Sequence, residues 1–243
     1  MSDTGSILKI DNLNVHYGDF QALYDVSMEI KKGRVTSIIG SNGSGKTTLL
    51  NTVMGINKPT SGSITLNDKD ISGMRTSKIV ADGVTMSPEG SSIFEDMTIK
   101  ENLLMGAYLP HARKRKTELV EKAFSLFPDL REKSGQLASL LSGGQRQMLS
   151  IAKAIVTDPQ VIICDEISLG LAPVIIKDIY KKIKEINAAG MTVLLVEQEV
   201  KRSLKHSDYS YIMVKGRVVM EGVSGELPEE EVSSAYFGIN KYA

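Results

Sequence analysis

The amino-acid sequence predicts an α/β fold with an antiparallel β subdomain near its start and a helical subdomain inserted in its middle. Short apolar, β-branched runs alternate with helix-like segments on both sides of that insertion, which is typical of parallel strands joined by helices. The residue pattern of 91–141 is typical of helices throughout. At 243 residues the chain has the length expected for one such domain with an inserted subdomain.

The first predicted elements are two strands that lie ahead of the α/β core. Leu8–Tyr17 and Ala22–Ile30 alternate imperfectly between apolar and polar residues on either side of Gly18 and Asp19. This alternation predicts an antiparallel pair. The next run, Arg34–Ile39, is short, apolar and β-branched, and it is predicted to be a buried strand.

A glycine-rich loop follows that strand and fits the pattern G-x-x-x-x-G-K-[ST], and Lys46–Met54 after it favours a helix. Glycines let backbone N–H groups curl around phosphate oxygens, while the helix N-terminus adds partial positive charge. Lys46 supplies a point charge for the β- and γ-phosphates, and Thr47 offers a hydroxyl to Mg²⁺. The predicted nucleotide-binding residues are Gly40, Ser41, Asn42, Gly43, Ser44, Gly45, Lys46, Thr47 and Thr48.

Three short elements are predicted between this loop and the helical segment. Ser63–Leu66 should be a strand that runs into a turn, Ile79–Asp82 a short helix, and Val84–Met86 a strand that ends before Pro88. Together they continue the alternation of strands and helices.

The helical segment contains two predicted helices and one basic cluster. Thr98 with Glu101 three residues later is a capping-box pattern, and Lys116–Phe127 shows amphipathic spacing. Between them lies the cluster His111–Lys116. Such runs are usually solvated surface, and we expect that here, with lipid headgroups or a partner protein as the open alternatives.

Strands and helices alternate again in the last third of the chain. Val161–Cys164 and Thr192–Val196 are predicted strands, Val174–Ala189 is a predicted helix, and a pair of strands should surround Lys215 and Gly216.

A second anion-binding pattern lies just before the predicted helix Arg146–Thr157. Its sequence is Leu141–Gln145, in which Ser142 is a good N-cap and two glycines expose backbone N–H groups at the positive helix end. An ordinary glycine-containing cap is the alternative. Because the first loop is already a complete phosphate site, a second one makes sense if it serves a nucleotide held by another copy of the chain.

Two carboxylates, Asp165 and Glu166, follow the apolar strand Val161–Cys164. Ligands gather at the carboxyl ends of strands in parallel α/β sheets, so both acids should emerge beside the glycine-rich loop. Asp165 would orient Mg²⁺, directly or through water, and Glu166 could accept the proton of an attacking water.

Three motifs in this order, Gly40–Thr48, Leu141–Gln145 and Asp165–Glu166, resemble the Walker A, signature and Walker B motifs of ABC-transporter ATP-binding subunits. The resemblance covers nearly the whole chain. It implies a P-loop NTPase core of the ABC ATPase type within one domain, residues 1–243. The core and antiparallel β subdomain would occupy residues 1–90 and 154–225, the helical subdomain 91–153 and a tail 226–243.

The resemblance also implies head-to-tail dimers that sandwich two ATP molecules. Tyr17 stands where the family stacks an aromatic ring on adenine. The residues that would complete the partner's site are Ser142, Gly143, Gly144 and Gln145. Implied partners are a second ATP-binding subunit, identical or homologous, transmembrane permease subunits and an extracytoplasmic solute-binding protein.

The sequence departs from the family pattern at informative positions. Glu89 replaces the usual loop glutamine near Mg²⁺, and Gln198 replaces the usual switch histidine. Glutamine can still donate a hydrogen bond to a γ-phosphate, although it does not titrate near neutral pH. Ala172 is a third departure, because the family has an aspartate at this position. Together with Pro88–Gly90 and the ending Ala235–Gly238, these departures resemble the branched-chain amino acid importer subfamily. Urea and amide importers share the same features.

Composition limits the remaining function classes. Lys+Arg and Asp+Glu number 29 each, so we expect no nucleic-acid partner, and the single Cys164 suits a reducing compartment. No apolar run approaches the ~18 residues of a membrane span, and the polar start does not resemble a signal peptide. We therefore expect a cytoplasmic protein, and the resemblance implies that permease subunits hold it at the inner face of the membrane.

Two rival functions come from other classes. A soluble ABC ATPase without a transport role usually carries two ATP modules or a long coiled-coil insertion, and this chain has neither. A P-loop kinase or GTPase has no use for the Leu141–Gln145 signature.

Overall fold

The structure is a computed structural model that describes residues 5–90 and 92–236. The described residues form two compact units. One consists of the residues up to Asp82 and those from Thr192 onward, and the other runs from Gly83 to Met191. Of the predicted ending Ala235–Gly238, the last two residues lie outside the described part.

The first unit contains a four-stranded antiparallel sheet, in which the predicted N-terminal pair is confirmed. Its strand order is β2-β1-β4-β5. Apolar side chains of β1, β2 and β4 are buried on one face, in keeping with the alternation of the sequence. Its strands are β1 (Ser6–Tyr17), β2 (Phe20–Lys31), β4 (Ser61–Leu66) and β5 (Lys69–Asp70).

The same unit contains four further strands in the order β10-β9-β3-β8, where β3 runs parallel to β8 and β9. The strands are β3 (Val35–Ile39), β8 (Thr192–Glu197), β9 (Tyr209–Val214) and β10 (Arg217–Val223). All residues of β3 and β8 are buried, as their continuous apolar runs predict. The helices of this unit are α1 (Lys46–Val53), α2 (Thr76–Asp82), α9 (Val200–His206) and α10 (Glu229–Tyr236).

The second unit contains a parallel strand pair and most of the helices. β6 (Val84–Ser87) pairs with β7 (Val161–Asp165), with Ser87 opposite Cys164. The helices are α3 (Ile99–Gly106), α4 (Pro110–Lys114), α5 (Lys116–Leu126), α6 (Pro128–Glu132), α7 (Gly143–Val156) and α8 (Pro173–Ala188), with a 3₁₀ turn at Ala138–Leu140.

The predicted capping box begins α3. Thr98 Oγ1 accepts from the Glu101 backbone N–H at 3.2 Å, and the Glu101 carboxylate accepts from the Thr98 N–H at 2.8 Å. These bonds favour the ionised carboxylate and lower the pKa of Glu101. Helix α2 begins at Thr76, three residues before the predicted start, and α4, α6, α9 and α10 add short helices that the sequence pattern does not reveal.

Candidate functional site

The glycine-rich loop leaves the carboxyl end of the fully buried strand β3. Gly40 continues the sheet pairing, because its N–H donates to the Glu197 carbonyl at 3.2 Å. A Cβ on Gly40 would overlap Ser44 Oγ and lie 2.7 Å from the Met213 carbonyl oxygen. The loop therefore needs glycine where its chain passes closest to the neighbouring backbone.

Helix α1 begins after Gly45, whose φ of 103° is open to glycine and strained for other residues. The N-terminus of α1 receives no side-chain cap. Its first N–H groups therefore rely on another acceptor, as the first turn of every helix leaves N–H groups without partners inside the helix. A phosphate oxygen fits this requirement.

Lys46 is buried at the base of the loop, with only 4% of its surface exposed. Its Nζ donates to the carbonyl oxygens of Gly40 at 2.8 Å and Ser41 at 3.1 Å. The ammonium group thus ties the two ends of the loop together and places a fixed positive charge inside its curve. Lys46 thus has a fixed position in the loop, and its predicted role in phosphate binding stays a prediction.

Ser44 gives an independent indication of a ligand. The residue is buried, and its Oγ has no hydrogen-bond partner in the part of the chain that the structure describes. A buried hydroxyl without a partner is costly, and a phosphate oxygen would satisfy it. The Ser44 backbone itself is fixed, because its carbonyl accepts from the Gly216 N–H at 2.9 Å and its N–H donates to the Ser41 carbonyl at 3.1 Å.

The remaining loop positions are accessible. Asn42, Gly43 and Thr47 are exposed and Thr48 is half-buried. Tyr17, the last residue of β1, is 49% exposed, and its hydroxyl accepts from the Asn57 side-chain amide at 2.6 Å. An accessible ring at this position suits the adenine contact that the resemblance implies, which stays a prediction.

Gln198 leaves the sheet at the same edge as the glycine-rich loop. β3 and β8 pair in parallel with Ile39 opposite Glu197, so Gly40 and Gln198 both follow carboxyl ends of neighbouring strands. The next residue, Glu199, caps α9 by accepting from the Arg202 N–H at 3.2 Å. This cap fixes the backbone on the C-terminal side of Gln198.

In the second unit, Glu89 and Glu166 lie beyond the carboxyl ends of β6 and β7. β6 and β7 run in parallel, with Ser87 opposite Cys164, so the residues after both strands leave the pair at the same edge. Three carboxylates therefore leave this pair of strands at one edge. Glu89 is exposed, while Asp165 and Glu166 are half-buried.

The backbone of Glu166 is unusual. Its φ is +45°, in the left-handed region that a residue with a Cβ adopts at a cost. Such strain persists where the surrounding structure holds it, and here it belongs to the carboxylate that the sequence assigns as proton acceptor. No group of three or more His, Cys, Asp and Glu side chains that could hold a metal occurs among residues 5–90 and 92–236. The Mg²⁺ ligands Thr47, Glu89 and Asp165 stay a prediction.

The signature motif forms the N-terminus of α7 and carries its own cap. Ser142 Oγ accepts from the Gln145 N–H at 3.4 Å, and Gln145 Oε1 accepts from the Ser142 N–H at 3.2 Å. A Cβ on Gly144 would overlap the Ile175 side chain, whereas one on Gly143 would meet only Leu171 at 3.5 Å. Ser142 and Gly143 are exposed, so their polar atoms can reach a group outside this unit.

Sequence reasoning missed two supports of the phosphate loop. The Gly216 N–H holds the Ser44 carbonyl, and the Glu197 carbonyl accepts from Gly40. Both are backbone contacts between segments far apart in the chain, so side-chain identity gives no signal for them. The Lys215–Gly216 turn was predicted only as a link between strands.

His16 and His111 contact groups outside the residues of the predicted site. His16 Nδ1 lies 3.1 Å from Thr60 Oγ1, and His111 Nε2 lies 3.2 Å from the Thr157 carbonyl oxygen. None of the described helices is both long and apolar enough to cross a membrane.

The site defines a nucleotide-binding protein. Its glycine-rich loop holds a buried lysine and an unpaired buried hydroxyl, and the helix N-terminus that follows has no side-chain cap. The family model of the ABC transporter matches residues 23–168. The chain belongs to this family as an ATP-binding subunit, and ATP-binding subunits of ABC transporters are ATPases.

Curated relatives cover the whole chain. It is 39% identical, over 96% of its length and 100% of the relative's, to the high-affinity branched-chain amino acid transport ATP-binding protein BraG of Pseudomonas aeruginosa. It is 36% identical, over 93% of its length and 95% of the relative's, to the probable branched-chain amino acid transport ATP-binding protein LivF of Archaeoglobus fulgidus.

Solved structures agree with the fold. The ADP conformation of an ATP-binding cassette of an ABC transporter superimposes with a TM-score of 0.82 at 33% identity, covering 96% of both chains. The cbiO1 protein from Clostridium perfringens, part of the ABC transporter complex cbiONQ, gives a TM-score of 0.82 at 29% identity, covering 98% of this chain and 96% of that one. The predicted fold class is thus confirmed.

Proposed function

We propose that this chain powers the import of branched-chain or other hydrophobic amino acids by binding and hydrolysing ATP. The observation that carries the ATP part is the buried Lys46 ammonium beside the unpaired Ser44 hydroxyl. Similarity to BraG over that protein's whole length supports the substrate class.

The residues of the phosphate loop bind and orient the triphosphate in this proposal. Lys46 provides the fixed cation, and N–H groups of the loop and of α1 donate hydrogen bonds to the phosphate oxygens. Tyr17 stacks on the adenine ring. Thr47, Asp165 and Glu89 would hold Mg²⁺ through their side-chain oxygens, and the ion would supply charge neutralisation on the β- and γ-phosphates.

Glu166 acts as general base in this proposal. Its strained backbone at the end of β7 aims the carboxylate in one direction, and the attacking water loses its proton to that carboxylate. Gln198 donates a hydrogen bond to the γ-phosphate from the edge where β8 ends.

The signature motif requires a second ATP-binding subunit, identical or homologous. Ser142 and the glycine N–H groups at the start of α7 bind the phosphates of a nucleotide held by that partner. The working complex also includes permease subunits, which hold the chain at the inner face of the membrane, and an extracytoplasmic solute-binding protein. Membership of cbiO1 in a transporter complex and the BraG similarity support this arrangement.

The substitution Glu166→Gln tests the catalytic assignment. Loss of a general base lowers a rate by typically ~10²–10⁴-fold, so ATP turnover should fall by that factor while ATP binding is kept. Turnover is measured by phosphate release, and binding with a fluorescent ATP analogue. Glu226→Gln, at an exposed position outside the proposed site, is the matched control. Unchanged turnover would assign the base to another residue, with Glu89 the next candidate.

Mixing two inactive variants tests the shared site. Lys46→Ala damages the phosphate loop and Ser142→Arg fills the signature pocket, so a mixed dimer holds one intact site and one doubly damaged site. The mixture should hydrolyse ATP although neither variant does alone, provided that two copies of this chain form the dimer. Weakened ATP binding by monomeric Ser142→Arg would contradict the shared site.

The substrate class is tested by uptake. The chain is reconstituted in proteoliposomes with the permease subunits that co-purify with it, and uptake of labelled leucine is compared with that of urea. Leucine uptake that stops with Glu166→Gln is expected. Urea uptake without leucine uptake would contradict amino-acid import while leaving the ATPase assignment intact.

A further inference from the structure

The basic segment, His111–Lys116, is unlike the rest of the chain in its charge. Four of its six residues are Arg or Lys, whereas the whole chain has 29 basic and 29 acidic residues. It spans α4 and the first residue of α5. A local excess of positive charge in a neutral chain calls for a local explanation.

One cation of the segment has a structural role. Arg115 forms 2.6 Å ion pairs with both Glu118 and Asp158, and Asp158 follows the distant end of α7. His111 adds a contact with the Thr157 carbonyl oxygen. These contacts fix the segment to the end of α7, so its other side chains project from a held backbone.

The other three cations have no such role. Arg113, Lys114 and Lys116 are exposed, and none forms an ion pair within the part of the chain that the structure describes. The nearby carboxylates are engaged elsewhere, because Glu118 pairs with Arg115 and Glu121 pairs with Arg131 at 2.7 Å.

Helix electrostatics do not account for this pattern. Cations in the last turn of a helix are favourable, which covers Arg113 and Lys114 at the end of α4. Lys116, however, is the first residue of α5, where the helix dipole disfavours positive charge. An acidic or neutral residue at position 116 would make α5 more stable.

Apolar side chains are exposed just before the segment. Met105, near the end of α3, is 44% exposed, and Tyr108, two residues after that helix, is 55% exposed. Exposed aromatic and apolar side chains next to unpaired Lys and Arg are typical of surfaces that contact membrane interfaces.

We propose that the basic segment binds anionic phospholipid headgroups through Arg113, Lys114 and Lys116. The phosphate groups of the lipids pair with these three cations, which form no ion pair with the described residues. Tyr108 inserts at the headgroup level. This contact is additional to the proposed attachment through permease subunits and acts without them.

Vesicle flotation tests the proposal with the isolated full chain and no nucleotide. The chain should float with vesicles containing phosphatidylglycerol and stay behind with pure phosphatidylcholine, and binding should weaken as salt rises. Replacing all three cations, Arg113→Gln, Lys114→Gln and Lys116→Gln, should lower the partition coefficient about 100-fold, since each contributes roughly a factor of five.

A matched control carries the same loss of charge on α8, through Lys177→Gln, Lys181→Gln and Lys184→Gln, three exposed positions of the same unit. It should keep vesicle binding within about threefold, because those lysines are not part of the proposed contact. An equal loss in the control would overturn the proposal in favour of non-specific attraction. Binding to neutral vesicles, or tighter binding to an RNA oligomer or an acidic peptide than to anionic vesicles, would overturn it as well.

ATP turnover of both triple variants separates this inference from the proposed function. Neither set of residues contributes to the proposed nucleotide site, so turnover should stay at the wild-type level. Vesicle binding by chains that show no turnover would leave the lipid contact standing, and turnover would then be measured again with the second ATP-binding subunit added.

Discussion

Helices α1 and α7 both begin at glycine-containing anion motifs, yet their N-termini are finished in different ways. α1 begins at Gly45 with no side-chain cap, while α7 is capped by its own Ser142 and Gln145. The cap of α7 is long, at 3.4 Å from Oγ to N, so a stronger acceptor could replace it. The N–H groups at the start of α1 therefore depend on a ligand bound in their own unit. Those at the start of α7 already have a side-chain cap, so α7 can bind a ligand held by another chain.

Lys46→Ala should give the largest effect, because it removes the cation that α1 cannot replace. Loss of one preorganised group that stabilises transition-state charge costs ~10²–10³-fold in rate, and here the same group also ties the end of the loop to the carbonyl oxygens of Gly40 and Ser41. Phosphate-release assays should show turnover reduced at least to that extent. Lys58→Ala, at an exposed position of the same unit, is the control. Turnover near the wild-type level would refute the assignment of the phosphate loop.

Gly144→Ala should cost about 1–3 kcal/mol of the free energy of unfolding, because the new methyl group overlaps the Ile175 side chain. Gly143→Ala meets only an ordinary contact and should change it far less. Chemical denaturation measures both. Adding Ile175→Ala to the first variant removes the overlap, so the double variant should recover part of the overlap cost. If Gly143→Ala were the more damaging of the two, the packing described for α7 would be wrong.

Ser142→Ala should lower the free energy of unfolding by about 1 kcal/mol, the usual cost of removing an N-cap. Helix α1 has no side-chain cap, so the same substitution has no counterpart there. The change in the free energy of unfolding therefore measures how much the Ser142 cap stabilises α7. Thr117→Ala, at an exposed helical position, is the control in the same denaturation experiment. No change in stability would mean that the 3.4 Å contact contributes nothing to the cap.

Gln145→Glu should give the smallest effect and a pH dependence. In the cap of α3 the lowered pKa of Glu101 means that its stabilisation is present above the usual pKa near 4.5. It is lost as the pH falls through the lower folded pKa. Gln145 does not titrate, so its cap lacks this dependence. The variant's stability relative to wild type should therefore fall on acidification from pH 6 to pH 3, and a constant difference would show that the side chain does not reach the Ser142 N–H.

The sequence predicts most of the strands and long helices because each has a periodic apolar pattern, as in the fully buried β3 and β8. The phosphate loop is equally well predicted, since its function depends on residue types at fixed spacing. What escapes prediction is contact between distant backbone groups, such as Gly216 with Ser44. The φ of Glu166 also gives no sequence signal, because carboxylates rarely adopt it without tertiary support.

The hydrogen bond between Gly216 and Ser44 joins two segments that are synthesised at different times. The phosphate loop leaves the ribosome before its backbone partner at Gly216 and the strand β9 beside β3 are made. At ~5–20 residues per second, roughly 10–30 s separate the synthesis of these segments. A nascent chain thus carries its nucleotide-binding sequence for that interval before the loop can be held in shape. Until then the Ser44 carbonyl lacks the Gly216 N–H as its partner.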